Sequence, residues 1–471
     1  MAAGATGRLA VPSPIAETAS FARRTLGEFA ALAQVALAAG IVLVCAERHS
    51  YLVSVHRGAW TGWFAGPLAG LLPGLTRSQS TLGRGFHDAE IAMLVAWLVI
   101  VLSGRAIRSG VVIGCVVAVN VLFFLCPPLA LTDLFNYLAY SRMELVQHLN
   151  PYVQLPIALR HDPVFLYSNW HHLHSPYGPL FTILVMPIAW LPLPVAYWVY
   201  KVVALLASFG MLAALWQCAR RLDRPPAAAV AFVGLNPIVM IYVLGARHYD
   251  ALLMGCVLAG CLLLLLRQEV AGGAVLVAAV ALKASAGLLA PVIALGAARR
   301  GRAVGGFAGG GVALAGLTLL FFGPHLPDVA DQSRLVNILS VPNVAGYLAG
   351  HGGADATVRH IAVIAGLAGG AICAAVAWRT RRWVSPAGWA GLVSLATVSW
   401  LCAWYIIWAL PFAALSRSRT LRAVTLAVVV VLVLIRTGDV YNLLARDLGL
   451  HLGNTATWRA NHAFEHRLIR G

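Results

Sequence analysis

The sequence predicts an all-α protein that crosses a membrane many times. Three observations predict it. Of the 471 residues, 60% are hydrophobic and only 11% charged, with a mean hydropathy of +0.80, outside the range of soluble globular domains. Apolar runs of ~20 residues recur from one end to the other, each long enough to cross a hydrocarbon core. Between them lie short loops rich in arginine. About 11–13 transmembrane helices are expected by these criteria.

The elements follow in order. Residues 1–28 are Ser/Ala-rich, carry Arg23 and Arg24, and read as a cytoplasmic tail rather than a cleaved leader. Candidate spans are 29–46, 87–104, 109–131, 178–217, 227–245, 249–267, 272–297, 303–323, 357–378, 385–416 and 420–436. The stretch 29–436 is expected to be one integral-membrane domain, with 437–471 as a tail on the outer side. Five basic loops, "GRAIRSG" (104–110), "ARRLDR" (219–224), "AARRGR" (297–302), "WRTRRW" (378–383) and "SRSRTLR" (416–422), close the topology if all are cytoplasmic.

That topology forces two broken elements. Segment 272–297 has cytoplasmic flanks on both sides, and its residues are too few for two full crossings at 1.5 Å each. A short hairpin with Lys283 near its tip is expected. Segment 385–416 has the same character, with "SWLCAWYIIW" near the tip. Broken helices survive in a membrane only where protein or a polar cavity covers their backbone. Segment 178–217, too long for one crossing, reads as a full helix plus a shorter one at the interface. The run "GRAVGGFAGGGVALAG" reads as close helix packing, since its spacing fits no nucleotide loop.

Charge and cysteine usage exclude some classes. The net charge of +17 reflects arginines placed by the positive-inside rule and near anionic headgroups, not nucleic-acid binding. The eight cysteines lie in or beside apolar runs without a CxxC pair, so neither a disulfide framework nor a metal site is indicated.

Candidate chemistry gathers on the outer loops. Asp133, in "LTDLFNYLAYSRMELVQHLNPYV" (131–153), stands where a membrane helix leaves the bilayer, and ionisable groups at that depth default to function. Thr132 or Asp133 can also cap the segment that follows. That segment carries Leu134, Leu138, Leu145 and Leu149 on one stripe, as an interfacial helix would, and Asn150-Pro151-Tyr152 ends it. "NWHHLHSPYGPLF" (169–181) holds His171, His172 and His174, whose spacing suits hydrogen bonding to sugar or phosphate better than a metal. "GARHYD" places Arg247, His248 and Asp250 at an outer boundary. Lys283 is one of two lysines, both in apolar runs, and reads as a snorkelling residue or a phosphate clamp. "WLCAWYIIWALP" (400–411) is either an aromatic belt or a sugar- and prenyl-binding wall.

Taken in chain order, Asp133, Asn150-Pro151-Tyr152, Tyr177-Gly178-Pro179, Asn236-Pro237, His248-Tyr249-Asp250, Lys283 and Trp404-Tyr405 resemble the GT-C superfamily of polytopic glycosyltransferases. The resemblance covers roughly residues 110–415 and is nearest to the polyprenyl-phosphate-mannose-dependent α-mannosyltransferases of actinobacterial envelopes, including the α-1,6-mannosyltransferases of lipomannan assembly. It implies Asp133 as catalytic base. It implies a donor phosphate held by Lys283, Arg247 and His248, and substrates met by Asp250, Asn150, Tyr152, Tyr177, Trp404 and Tyr405, to which the histidine-rich loop adds His174. The implied donor is a polyprenyl-phosphate sugar, the acceptor a hydroxyl of an envelope glycolipid or glycan, and neither metal nor cofactor is required. Many relatives carry a paired acid in the first outer loop, whereas here Asp133 follows Thr132 and precedes Leu134. A lipid or sugar flippase is the second reading. It would place charges at mid-bilayer and show internal repeats, and the sequence shows neither.

Overall fold

A computed structural model describes residues 14–55, 60–72, 79–327, 329–436 and 438–470. Among the described residues there are helices and no strands. Helix α1 (Pro14–Ala46) pairs with α2 (Gln79–Ser103) and α3 (Ser109–Leu125). Because α1 starts at Pro14, half of the expected tail is helical. Among the described residues, five helices are long and apolar enough to cross a membrane: the bodies of α1 and α2, α6 (Leu193–Arg221) and two further helices, Arg300–Phe322 and Ala356–Thr380. The remaining apolar helices are shorter or bent.

After α4 (Asp133–Gln147), segment 178–217 resolves into α5 (Pro179–Ala189), which contains Pro187, and the long α6. The span at 227–245 is not one rod. Helix α7 (Pro226–Gly234) and a π-helical turn, Val239–Gly245, meet at 71°. Asn236-Pro237 is the cause. Proline interrupts the helical ladder, and Asn236 Oδ1 accepts the freed N–H of Ile238 at 3.0 Å.

Helix α8 (Asp250–Leu265) returns, and the two broken segments follow the length argument. The first is α9 (Glu269–Leu282), then Lys283 in extended conformation, then a 3-10 turn (Ala284–Leu288) and α10 (Ala290–Leu295). Helix α11 (Arg300–Phe322) packs along α9 through the glycine-rich run. Gly273 lies on the Ala303 carbonyl and Gly306 on the Val270 carbonyl, where no Cβ fits. After α12 (Ala356–Thr380), the second broken segment comprises α13 (Val384–Thr397), a 3-10 turn (Ala403–Trp408) and α14 (Leu410–Leu415). Helix α15 (Arg419–Arg436) and an amphipathic α16 (Ala456–Arg470) complete the chain.

The basic loops meet at one end of the bundle. Arg105, Arg224 and Arg422 surround one hollow of about 160 Å³, Arg224 donates to the Leu415 carbonyl at 3.1 Å, and Arg300 to that of Trp378 at 3.0 Å. Helix α3 runs from this end to the loop before Asp133, and α11 runs the same way. Seventeen residues at 1.5 Å rise make α3 ~25 Å long, so the arginines and Asp133 lie at opposite ends.

Candidate active site

Segment Asp133–Gln147 is a helix, but it sits deeper than one leucine stripe implies. After Asp133 the next two turns, Leu134 to Ser141, are buried on all sides, with Asn136 and Ser141 buried as well as the leucines. Aromatic rings close around it. Phe135 stacks on Tyr167 and Tyr197, and Tyr137 meets Tyr177, Phe181 and Tyr249 edge-on. Buried Asn136 is satisfied by Asn169, whose side chain and backbone it engages at 2.6 and 3.1 Å. Among the described residues Thr132 makes no capping bond, and the contacts of the Asp133 carboxylate are to side chains of other segments.

Those partners come from two other segments. Tyr177 donates its phenol to Asp133 Oδ1 at 3.3 Å, and His248 Nε2 stands 3.9 Å from Oδ2. The re-entry Tyr177-Gly178-Pro179 is locked by the Gly178 N–H on the Leu282 carbonyl at 3.0 Å. The approach leaves no room for a Cβ at Gly178, which brings Tyr177 beside the tip of the first broken hairpin. His248 lies in the turn after the bent 226–245 element. It is stacked on Trp404 at 4.0 Å, and its Nδ1 is 3.2 Å from the Tyr137 hydroxyl. Among the described residues its Nε2 has no hydrogen-bond partner.

The tips of the two broken segments meet next to this turn. Lys283 Nζ reaches both oxygens of Asp250, at 3.1 and 3.3 Å, and Trp408 Nε1 donates to the same carboxylate at 3.1 Å. Rings of Tyr249, Tyr405 and Trp408 surround the ammonium, with centroids at 5.0, 4.9 and 5.4 Å. Behind Trp404, Tyr242 donates to Glu90 and accepts from Arg436, bracing the stacked rings from α2 and α15.

These groups open onto a cavity of about 680 Å³. Of the expected site residues, Asp133, Tyr177, His248, Lys283, Trp404 and Tyr405 line it. Among the described residues of its wall, Asp133 is the only carboxylate. The other expected residues lie elsewhere. Asp250 is fully buried behind Lys283. Arg247 is buried, with φ +64°, and is not part of the wall. Asn150 shapes a turn, donating to the Phe322 carbonyl at 2.7 Å, and Tyr152 donates to the Tyr177 carbonyl at 3.1 Å, one layer behind the wall. His174 bonds the Val153 carbonyl at 3.2 Å on the surface. Burial pushes the His171 imidazole below its ordinary pKa, where it stacks on Phe165 at 3.8 Å. No group of three His, Cys, Asp or Glu side chains gathers among the described residues.

The wall also contains residues that sequence reasoning did not single out: Tyr137, Asn169, Trp400 and Trp408, and, from later segments of the chain, Arg334, Arg359 and His360. Trp400 and Trp408 belong to the aromatic run already noted, but which of its rings turn inward depends on the 3-10 turn. Arg334 and Arg359 sit in segments whose sequences carry no motif.

A family profile described as "Alpha-(1->6)-mannopyranosyltransferase, N-terminal domain" matches residues 89–299, which hold Asp133, Tyr177, His248, Asp250 and Lys283. The chain resembles the actinobacterial alpha-(1->6)-mannopyranosyltransferases. One relative, alpha-(1->6)-mannopyranosyltransferase A of Mycobacterium tuberculosis, is 25% identical over 394 residues, 73% of this chain and 74% of its own length. The Corynebacterium glutamicum protein of the same name is 27% identical over 192 residues, 39% of this chain and 38% of its own. A probable alpha-(1->6)-mannopyranosyltransferase of Mycolicibacterium smegmatis is 28% identical over 180 residues, 36% of this chain and 32% of its own. The match thus spans well under half the length of two of these relatives and about three-quarters of the third.

Proposed function

We propose that this protein is an inverting mannosyltransferase of the cell envelope that takes mannose from a polyprenyl-phosphate donor and transfers it to a hydroxyl of a glycolipid or glycan. The observation that carries the reading is Asp133: one carboxylate on the wall of a cavity rich in aromatic rings and cations, oriented by Tyr177 and His248. The relatives' names supply the sugar and the α-1,6 linkage.

The chemistry needs little else. The acceptor hydroxyl gives its proton to Asp133 as its oxygen attacks the anomeric carbon. The bond from that carbon to the phosphate oxygen breaks on the opposite face, and the lipid phosphate departs with the electron pair. A phosphate is a good leaving group, so no general acid is required, and one carboxylate suffices for a single displacement. Cations on the wall stabilise the phosphate as its charge grows. Tryptophan and tyrosine faces such as those of Trp404 and Tyr405 suit stacking on a sugar ring. Neither metal nor nucleotide enters this scheme. With the arginine-rich end cytoplasmic, the cavity opens on the outer face, where a lipid-linked donor replaces a nucleotide sugar.

The test is transfer by the purified protein in nanodiscs, with labelled polyprenyl-phosphate mannose or labelled nucleotide mannose offered separately and products analysed for linkage. Transfer from the lipid donor alone, giving an α-1,6 product, is expected. Transfer from the nucleotide sugar alone, or movement of the intact lipid across the bilayer without transfer, would refute the reading.

A further inference from the structure

We propose that Arg334 and Arg359 clamp the phosphate of the lipid-linked donor, and that the donor's isoprenoid chain runs from there along the cavity face of α12. The inference rests on the glycosyl-transfer reading and names where its donor binds.

An anion in the cavity is met by cations that no acid already matches. Lys283 is already matched by both oxygens of Asp250 and enclosed by three rings. Arg334 and Arg359 are not so committed. The acidic partner of Arg334, Asp331, lies 3.6 Å away in an exposed pair of the kind that contributes little. Arg359 donates to two neutral acceptors, the Ala354 carbonyl at 2.8 Å and Asn461 Oδ1 at 3.5 Å. Its nearest acid in sequence, Asp355, is occupied by the Val358 N–H and by His351, each at 2.8 Å. The two guanidinium groups lie on one cavity wall and within electrostatic reach of each other, an arrangement that gains from a bound anion. Guanidinium forks also match phosphate oxygens bidentately, as an ammonium does not.

Both arginines are held in place by α16. The Arg334 guanidinium lies 3.9 Å over the Phe464 ring, and Asn461 meets Arg359. Helix α16 is itself anchored to the first outer loop, through Phe464 and Leu468 packed on Leu173 and Leu335 and through the His172 N–H on the Leu468 carbonyl at 2.9 Å.

The shape of the rest of the wall identifies the ligand as an amphiphile. Arg359, Val363, Gly366 and Leu367 fall at i, i+4, i+7 and i+8 on α12, one helical face, and all line the cavity. A cationic head therefore stands above an apolar rail on a single helix. Val363 and Leu367 are 54% and 61% exposed, open to a hydrocarbon chain, and Leu288 from the hairpin tip faces the same space.

The experiment measures binding of a sugar-free polyprenyl monophosphate to the full-length protein in nanodiscs, with inorganic phosphate as the second probe. Wild type, Arg334→Gln/Arg359→Gln and Arg334→Lys/Arg359→Lys are compared, with thermal midpoints recorded to confirm folding. The glutamine pair should weaken lipid-phosphate binding by about tenfold or more, and the lysine pair, which keeps charge without the fork, by less. Inorganic phosphate should bind wild type far more weakly than the lipid. Undiminished lipid-phosphate binding by the folded glutamine pair would overturn the clamp alone. Inorganic phosphate binding as tightly as the lipid would overturn the rail. Absence of lipid-phosphate binding by wild type would overturn the lipid-donor reading and the clamp with it.

Discussion

Asp133 and Asp250 both open a helix at the same end of the bundle, and the structure uses them in opposite ways. Asp250 is fully buried and held by an ammonium and an indole N–H at hydrogen-bond distance. Asp133 is 16% exposed in its side chain and faces the cavity, with one long hydrogen bond from Tyr177 and a histidine at 3.9 Å. A carboxylate whose lone pairs are filled by fixed donors can hold two elements together. A carboxylate with open lone pairs on a cavity wall can meet a substrate hydroxyl. The pairing of Lys283 with Asp250 ties α8 to the tip of the first broken hairpin, and Trp408 adds the tip of the second. That ion pair builds the wall on which Asp133 can act.

The largest effect that sharpens this contrast is on stability. Asp250→Ala leaves the Lys283 ammonium without its counter-charge, and breaking a buried pair from one side costs ~3–5 kcal/mol. The thermal midpoint in detergent should fall steeply. Adding Lys283→Met should recover most of the loss, since the lysine then needs no partner. If Asp250→Ala left the midpoint unchanged, the two acids would not differ as described.

Much of this was legible in the sequence, and the reasons differ by residue. The tip position of Lys283 followed from chain length, because two full crossings do not fit between its cytoplasmic flanks. Asp133 stood out because an acid at a span's end is costly. The bend at Asn236-Pro237 had a visible cause, yet an apolar run of ordinary length concealed it. The depth of the 133–147 helix was not readable from its leucines, because its other faces are covered by rings from remote segments, Tyr167, Tyr177 and Tyr197. Arg334, Arg359 and Trp408 reach the wall only through tertiary packing, which leaves no periodic signal. Arg247, beside His248 in sequence, turns away because its left-handed backbone at φ +64° redirects the chain between two helices.

A middle-sized effect is expected at Tyr177. Tyr177→Phe removes the phenol that orients Asp133 while keeping the ring contacts with Tyr137 and Tyr249. Turnover should fall about tenfold, the scale of one hydrogen bond to a charged group, with the thermal midpoint nearly unchanged. An equal fall in stability would assign Tyr177 to packing instead.

The smallest effect comes from a third acid at a helix start. Asp355 is a true N-cap, accepting from Val358 N–H at 2.8 Å, and Asp355→Ala should cost ~1 kcal/mol. That backbone hydrogen bond, with His351 beside it, holds the Asp355 carboxyl below its ordinary value of 3.8. Its folded pKa is therefore depressed. The cap's contribution is present above the unfolded value and is lost as pH falls through the folded one. Melting curves of wild type and variant should stay parallel at neutral pH and converge only in the acid range. Convergence near neutrality would point to His351 instead.

The most direct test of the account is Asp133→Asn. The amide keeps the size of the carboxylate, and no capping bond is at stake. It cannot accept the acceptor's proton. Transfer of labelled mannose from the polyprenyl-phosphate donor in nanodiscs should fall by ~10²–10⁴-fold, while binding of the donor and the thermal midpoint stay close to wild type. Near-wild-type transfer by a folded, donor-binding Asp133→Asn protein would contradict the assignment of Asp133 as the base.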